Sequence, residues 1–153
     1  MSKRKSWEIK GLKKSALICD AAKLIIQQRI SVLLAKIDEY FKEESDVSLH
    51  QVRIAIRRIR YNLELFTDCF EKKLFLKFYE TVNELQDKTG ELRDLDVLKL
   101  NLNSLFKIEK AAMPPHILTK IDNKKLALRE IVNLELLRFK HSKILKELIA
   151  NLK

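Results

Sequence analysis

Apolar residues recur at three- and four-residue steps through most of the chain, which is the spacing of one face of an α-helix. The pattern predicts a first long helix over residues 15–42 and a second over about 47–68, joined by a polar turn at 43–46. A third is predicted over about 72–113, where two prolines end it, and a fourth over the remainder to Leu152. Short connections between helices favour antiparallel neighbours. The predicted fold class is therefore all-α, an antiparallel bundle of about four long helices.

The later helices carry further expectations. Gly90 lies inside the third helix at a cost of about 1 kcal/mol relative to Ala, so we expect it to permit close helix contact or to mark a break. Asp122-Asn123 is a candidate interruption of the fourth helix. The predicted core face of the fourth helix consists of Leu128, Ile131, Leu134, Leu137, Leu145, Leu148 and Leu152. A second apolar set, partly off that face, comprises Leu126, Leu136, Phe139, Ile144 and Ile149.

The chain is strongly basic, since 31 Lys and Arg against 21 acidic residues give a formal charge of +10. A length of 153 residues predicts one domain, here residues 15–153. Six basic residues and a single acid occupy residues 1–14, which we interpret as a basic N-terminal arm. The excess of positive charge favours a polyanionic partner, such as nucleic acid, anionic lipid or a phosphate polymer.

Several classes of protein are disfavoured. No apolar run approaches the roughly eighteen residues of a membrane span, and no signal core follows the basic N-terminus, so we expect a cytoplasmic protein without membrane insertion. Cys19 and Cys69 would lie at the same end of an antiparallel hairpin, where a bridge is conceivable, but reduced thiols are expected in the cytosol. No catalytic triad, Gly-rich phosphate loop or carboxylate cluster is found. We therefore expect no enzyme activity, no cofactor and no bound metal.

The second helix carries a row of cationic side chains beside its apolar stripe. Residues 47–63 contain no acid. His50, Arg53, Arg57 and Arg60 fall in one arc, each a turn from the last, so successive members stand roughly 4.5–6 Å apart along the axis. Such a row is either a solvated basic face or a site for an anion. The absence of acids and the position beside the apolar stripe favour an anion site.

The start of this helix also has a sequence signature. Ser48 followed by Gln51 is interpreted as a capping box, in which the hydroxyl accepts from the N3 amide and the Gln reaches back to the cap. Val47 and Val52 would then form a hydrophobic staple. This framing places His50 at the second helical position, where free N–H groups and the helix dipole favour an anionic oxygen.

A second informative stretch lies in the third helix, with the sequence Leu-Arg-Asp-Leu-Asp-Val at residues 92–97. Arg93 and Asp96 can pair at the i,i+3 spacing. Asp94 points elsewhere and can anchor an arginine of the second helix. The aromatic residues earlier in this helix resemble a stacking platform for bases, but their helical spacing is more typical of a core.

Together the two stretches resemble the conserved histidine α-helical domain (CHAD) family. Its His-x-x-Arg-x-x-x-Arg-Arg-x-Arg helix matches residues 50–60, and its Arg-Asp-Leu-Asp-Val segment, some thirty residues later, matches residues 93–97. The resemblance implies an all-helical domain that binds inorganic polyphosphate through basic residues, with some members at polyphosphate granules. By motif match, the polyphosphate-binding residues would be His50, Arg53, Arg57, Arg58, Arg60 and Arg93. Ser48, Gln51, Asp94 and Asp96 would support them.

Two alternatives stay open at this stage. A nucleic-acid-binding helical module would use the same charge, although it should show side chains suited to base edges or to stacking; weak nucleic-acid binding is a further expectation. CHAD proteins usually contain two helical bundles, whereas this sequence contains the His/Arg helix once. A homodimer would supply the second copy. In a monomer, the second apolar set of the fourth helix would simply complete a wide buried face.

Overall fold

Five α-helices and one short 3-10 helix make up most of residues 8–153, the part of the chain that the computed structural model describes. The α-helices are α1 (Ile18–Lys42), α2 (Asp46–Leu65), α3 (Lys72–Ile108), α4 (Pro115–His141) and α5 (Lys143–Asn151), and the 3-10 helix spans Thr67–Cys69. These residues contain no strand. The helices pack against one another around one apolar core, which confirms the predicted all-α bundle.

The α1–α2 hairpin contributes the first half of the core. The predicted apolar stripe of α2 is confirmed, because Val52, Ile56 and Ile59 are fully buried. The facing stripe of α1 is buried as well and consists of Ala22, Ile26, Ile30, Leu33, Ile37 and Tyr40. Burying one large aliphatic side chain contributes roughly 1.5–3 kcal/mol. The seam between α1 and α2 therefore fixes how α2 is rotated and which of its side chains reach solvent.

The N-cap of α2 is Ser45, three residues before the predicted cap Ser48. The Ser45 Oγ accepts from the Ser48 N–H at 3.1 Å, and the Ser45 N–H donates to the Ser48 Oγ at 3.2 Å, which makes a reciprocal capping box. The predicted box of Ser48 with Gln51 is therefore wrong, and Gln51 is exposed. Val47 is 73% exposed and forms no staple. His50 becomes the fifth residue of the helix, beyond the free N–H groups of the first turn.

Helix α3 is 37 residues long, against 20 for α2. Gly90 lies within it, and a Cβ built there would meet nothing within 4 Å, so the expectations of close contact and of a break are both wrong. The helix ends at Ile108, and Lys110 adopts a positive φ of 54°, the left-handed conformation common after helix ends. None of its residues after Leu95 is buried. We call this part of α3, residues 96–108, the overhang.

The predicted fourth helix is in fact two helices. The backbone breaks at Ser142, whose Oγ accepts from the Leu145 N–H at 3.3 Å and caps α5. Asp122-Asn123 does not interrupt α4. The break also corrects the predicted core face, because the stripe of α5 does not continue in phase into α4. Ile131, Leu134 and Leu137 are 43–49% exposed. The buried residues of α4 are Ile121, Val132, Leu136 and Phe139.

Polar contacts join α1 to α4 at the edge of this core. The buried Tyr40 hydroxyl donates to the Asn133 Oδ1 at 2.6 Å, and the Lys140 ammonium pairs with the Asp38 carboxylate. Burial raises the pKa of Tyr40, so this hydroxyl keeps its proton and remains a donor. These contacts bring the second half of the chain back onto the first helix.

A disulfide joins Cys19 to Cys69, with their Cα atoms 5.0 Å apart. The expectation of reduced thiols is therefore wrong, and the alternative that a hairpin brings the two cysteines to the same end is correct. The bond ties the first turn of α1 to the 3-10 helix that follows α2. The hairpin is thus closed by a peptide connection at one end and by a covalent bridge at the other.

Two hydrogen bonds hold the N-terminal segment to α1 at Gln28. The Lys10 N–H donates to the Gln28 Oε1 at 3.2 Å, and the Gln28 Nε2 donates to the Lys10 carbonyl at 2.8 Å. Residues 1–7 of the predicted basic arm lie outside the described part of the chain, and the arm boundary at residue 14 stays a prediction.

Removing the disulfide should lower stability substantially, because it closes a loop with a sequence separation of 50. Loops of this size contribute about 2–4 kcal/mol, which corresponds to a fall of roughly 5–15 °C in Tm. The variant is Cys19→Ser with Cys69→Ser, measured by thermal unfolding beside the wild type with and without reductant. Reduced wild type should match the double variant. Equal melting temperatures in all three samples would show that the bridge does not stabilise the fold.

Candidate anion-binding site

The two sequence stretches meet where α2 packs on α3. A small pocket there is lined by His50 and Arg53 from α2 and by Arg93 from α3. The other residues lining it are Asp46, Leu49, Thr89 and Asp96. The Thr89 hydroxyl donates to the Leu85 carbonyl of its own helix at 2.8 Å, so it is already satisfied. Three cationic or protonatable side chains thus converge on one pocket although they come from segments about forty residues apart.

The two carboxylates of this pocket are held by cations of α4. Asp46 pairs with Lys125 at 3.0 Å and with Arg129, and Asp96 also pairs with Lys125. Burial alone would raise the pKa of Asp46, but the hydrogen bonds and charges of Lys125 and Arg129 outweigh it. The pKa of Asp46 therefore lies below its ordinary value of 3.8. The acids of the pocket are neutralised from α4, not from α2.

This arrangement leaves the arginines of the pocket without counter-charges. The predicted pair of Arg93 with Asp96 does not form, since Asp96 is bound to Lys125. Asp94 is exposed and forms no ion pair within residues 8–153, so the predicted anchoring of an arginine by Asp94 is not observed. Neither Arg53 nor Arg93 forms an ion pair with a described residue. Both are half-buried, which makes their charges available to an incoming anion at little cost in side-chain freedom.

The far end of the row is different, because Arg60 already has a partner. Its Nε donates to the Glu64 Oε1 at 2.8 Å, and the Tyr79 hydroxyl donates to the same oxygen at 2.7 Å. The hydrogen bond with Glu64 raises the pKa of Arg60, and the hydrogen bond from Arg60 lowers the pKa of Glu64. The Arg60 guanidinium also lies 5.5 Å from the ring centroid of Tyr61. An anion at Arg60 would have to displace or share a carboxylate.

Arg57 and Arg58 are both exposed, and they leave α2 in different directions. Consecutive residues are about 100° apart around a helix, so Arg57 stays with the row of His50 and Arg53 while Arg58 turns to the other flank. That flank faces α1, which carries the half-buried Arg29. Burial, and after it the charge of Arg58, lower the pKa of Arg29. The motif match had grouped Arg58 with the row, and the structure separates it.

Sequence reasoning missed Lys125 and Arg129, which hold the carboxylates of the site, and also Arg29 on the other flank of α2. The two α4 cations border an open groove of about 400 Å³ beside the pocket, together with Glu44, Ser45 and Asp122. A basic pair four residues apart on α4 was visible in the sequence. Its match to Asp46 and Asp96 was not, because it depends on how α4 returns across the bundle.

The region that contains the pocket matches a known protein family. The model of the CHAD domain family matches residues 6–111 of the 153-residue chain, a range that includes α1, α2, α3 and every residue of the pocket. The chain therefore belongs to the CHAD domain family. No curated protein and no solved structure matches it significantly.

Two features are absent from residues 8–153. None of the helices is both long and apolar enough to cross a membrane. No group of three or more His, Cys, Asp or Glu side chains in that range is arranged to hold a metal ion.

Because Lys125 and Arg129 of α4 hold the Asp46 carboxylate, the stability of the fold should decrease at acid pH. A carboxylate with a lowered folded-state pKa stabilises the fold above its unfolded value, here 3.8, and the contribution is lost as pH falls through the folded value. Asp46→Asn should therefore melt about 2–4 °C below wild type at pH 7, since a half-exposed pair contributes up to about 1 kcal/mol. The gap should narrow at pH 3. Asp87→Asn, which removes an exposed carboxylate without an ion pair in the described chain, is the matched control. A gap that stays constant from pH 7 to pH 3 contradicts the assignment.

Proposed function

We propose that this protein binds inorganic polyphosphate without catalysis, through His50, Arg53, Arg57 and Arg93, with Arg60 at the margin. The observation that carries the proposal is the convergence of Arg53 and Arg93 on one pocket whose carboxylates are neutralised by α4. Membership of the CHAD domain family, which is known to bind polyphosphate, supports the same ligand.

The chemistry of the pocket suits phosphate oxygens. Each guanidinium offers a planar fork of donors that matches two oxygens, and such charge-assisted hydrogen bonds are about twice as strong as neutral ones. Arg53 and Arg57 stand one turn apart on α2, so a linear anion along the helix can contact both. The imidazole of His50 adds a donor at the start of the row. Binding to such a row should weaken steeply with salt, because a polyanion releases its counterions when it is neutralised.

A nucleic acid is the second candidate ligand, and one observation favours it. Tyr61 is 54% exposed beside the Arg60 guanidinium, which is an arrangement that can stack a base. The other aromatics that resembled a stacking platform do not support this function, because Phe75 and Phe78 are buried and Tyr79 is bonded to Glu64. Among residues 8–153, one exposed ring predicts weak binding of single-stranded nucleic acid at most.

The cellular location stays a prediction. A cytoplasmic protein associated with polyphosphate granules fits the proposed ligand. The disulfide between Cys19 and Cys69 argues against a reducing compartment, because cytosolic thiols are usually kept reduced. The redox state of the two cysteines in the native organism therefore bears directly on the location.

Replacing the unpaired arginines should remove polyphosphate binding and leave the fold intact. We expect Arg53→Gln with Arg57→Gln and Arg93→Gln to weaken binding of long-chain polyphosphate by roughly 100-fold, at about 1 kcal/mol for each guanidinium. Arg60→Gln alone should weaken it less than Arg57→Gln alone, since Glu64 already neutralises Arg60. Titration calorimetry at two salt concentrations, with circular dichroism as a check on helicity, measures both.

The matched control is Arg138→Gln, because Arg138 is an exposed arginine on α4 whose one ion pair in residues 8–153 is with Glu135 of the same helix. It removes one positive charge far from the pocket. If the triple variant binds like Arg138→Gln, the site assignment fails. If wild-type protein binds single-stranded DNA more tightly than long polyphosphate at equal salt, and Tyr61→Ala removes that preference, nucleic acid is the ligand.

The predicted homodimer needs a different surface from the one first expected. Leu136 and Phe139 are buried in the core and cannot form a contact with a second chain. Leu126, Leu134 and Leu137 are exposed on α4, and the overhang exposes further leucines. We retain the homodimer as a proposal on this outer face of α4. It would bring two copies of the arginine row into one particle.

Light scattering tests this proposal directly. A dimer should give about twice the 18.0 kDa mass of the chain, and Leu134→Glu should return it to the monomer by placing a charge in an apolar contact. Leu65→Glu is the control, since Leu65 is 72% exposed on α2. A monomeric mass for the wild type at high micromolar concentration, free and with polyphosphate, excludes the dimer.

A further inference from the structure

Arg29 and Arg58 lie opposite one another across the α1–α2 hairpin. In an antiparallel hairpin, residues equally distant from the connection stand at the same level. The disulfide shows this register, because Cys19 and Cys69 are each 25 residues from Glu44 in the connection. Arg29 and Arg58 are 15 and 14 residues from Glu44. The register thus places Arg29 and Arg58 at the same height along the two helices, and the charge of Arg58 is close enough to lower the pKa of Arg29.

Within residues 8–153, no acidic side chain forms an ion pair with Arg29 or Arg58. The Nε of Arg29 is buried without a hydrogen-bond partner in this part of the chain. The segment next to Arg29 adds more positive charge, since Gln28 holds the backbone of Lys10 through two hydrogen bonds. The lowered pKa of Arg29 has burial and the charge of Arg58 as its causes, which agrees with two cations held close together.

Such a pair has a simple structural explanation and a functional one. An arginine can lay its aliphatic stem on apolar surface and extend its charge to water, which would explain the half-burial of Arg29. It does not explain a buried Nε without a partner facing a second unpaired guanidinium. A buried donor that lacks a partner is destabilising, and an anion bound to the two guanidinium groups would compensate their charge.

We propose that Arg29 and Arg58 form a second phosphate-binding position, and that one polyphosphate chain crosses α2 from this pair to the pocket of His50, Arg53 and Arg93. The inference rests on the proposed function and adds a requirement for ligand length. Arg57 is exposed between the two positions and bridges them. A helix with its side chains is about 10–12 Å across, so triphosphate is too short to reach both flanks and a long chain can do so.

The test compares inorganic triphosphate with long-chain polyphosphate by titration calorimetry. Arg29→Met keeps most of the apolar stem without the charge, and Arg58→Gln changes the exposed partner. Each should weaken long-chain binding by about threefold to tenfold and leave triphosphate binding within the range of the control Arg138→Gln. The double variant should reduce the slope of log affinity against log salt by about 1.4–1.8, since each lost phosphate contact removes about 0.7–0.9. Arg138→Gln should leave that slope unchanged.

A second readout does not involve the ligand. Removing one of two like charges relieves repulsion in the free protein, so Arg58→Gln should raise Tm by about 1–2 °C while it weakens long-chain binding. Arg29→Lys restores the charge and should recover part of the affinity for long chains.

The outcomes separate this inference from the proposed function. If Arg29→Met and Arg58→Gln bind both ligands like Arg138→Gln, Arg29 is a packing residue and the second position does not exist. If they weaken triphosphate and long chains equally, all the arginines form one site and the crossing path is wrong. If the Arg53, Arg57 and Arg93 variants leave both ligands unaffected, the proposed function itself fails, whatever the Arg29 variants do.

Discussion

The burial of one face of α2 is the constraint on which the rest of this structure depends. Val52, Ile56 and Ile59 are fully enclosed between α1 and α3, so the helix cannot rotate without exposing them. Arg53 and Arg58 then leave the helix along opposite edges of the buried face, and Arg57 leaves it toward solvent between them. One edge meets α3 and the other meets α1. The positions of the arginines are therefore a consequence of apolar packing, and no charge–charge contact is needed to set them.

The distribution of acids follows from the same geometry. Asp46 and Asp96 line the pocket, and they would neutralise the charges of its arginines if they were not already paired with other cations. Lys125 reaches both carboxylates from α4, and Arg129 reaches Asp46 as well. Helix α4 thus acts at a distance on the pocket, because it removes competing anions while contributing no residue to its lining. Arg60 is not kept free of acids in this way, because Glu64 accepts hydrogen bonds from both Arg60 and Tyr79.

The reliable part of the sequence prediction came from periodicity. Helical spacing correctly predicted the buried stripe of α2 and the start of α3 at Lys72. The family motif indicated that residues 50–60 and 92–97 belong to one site, and the two segments meet in the pocket. The cap was placed wrongly because Ser45 and Ser48 both suit an N-cap, and the earlier one also puts Asp46 in the first turn, where the helix dipole favours a carboxylate.

Other features were beyond local reasoning. The chain breaks at Ser142, so the buried faces of α4 and α5 do not form one continuous stripe. The spacing of the seven leucines and isoleucines fitted one uninterrupted helix just as well as two helices. The partners of Asp96 and of Arg29 depend on which helices become neighbours, and no spacing within a single helix contains that information. The hairpin geometry allowed the disulfide, but the assumption of a reducing cytosol argued against it.

The overhang gives α3 two regions of different local stability within one continuous helix. Up to Leu95 the helix is covered by the hairpin, and its amides can exchange with solvent only when the core opens. The overhang pairs with α4 through Asp96 and Lys99, and none of its residues is buried. Fraying from Ile108 inward therefore costs few buried contacts, and the amides of the overhang should exchange far sooner. Arg93 stands close to the boundary between the two regions. An anion held there would move that boundary outward, and the length of slowly exchanging helix would then report how much of the pocket is occupied.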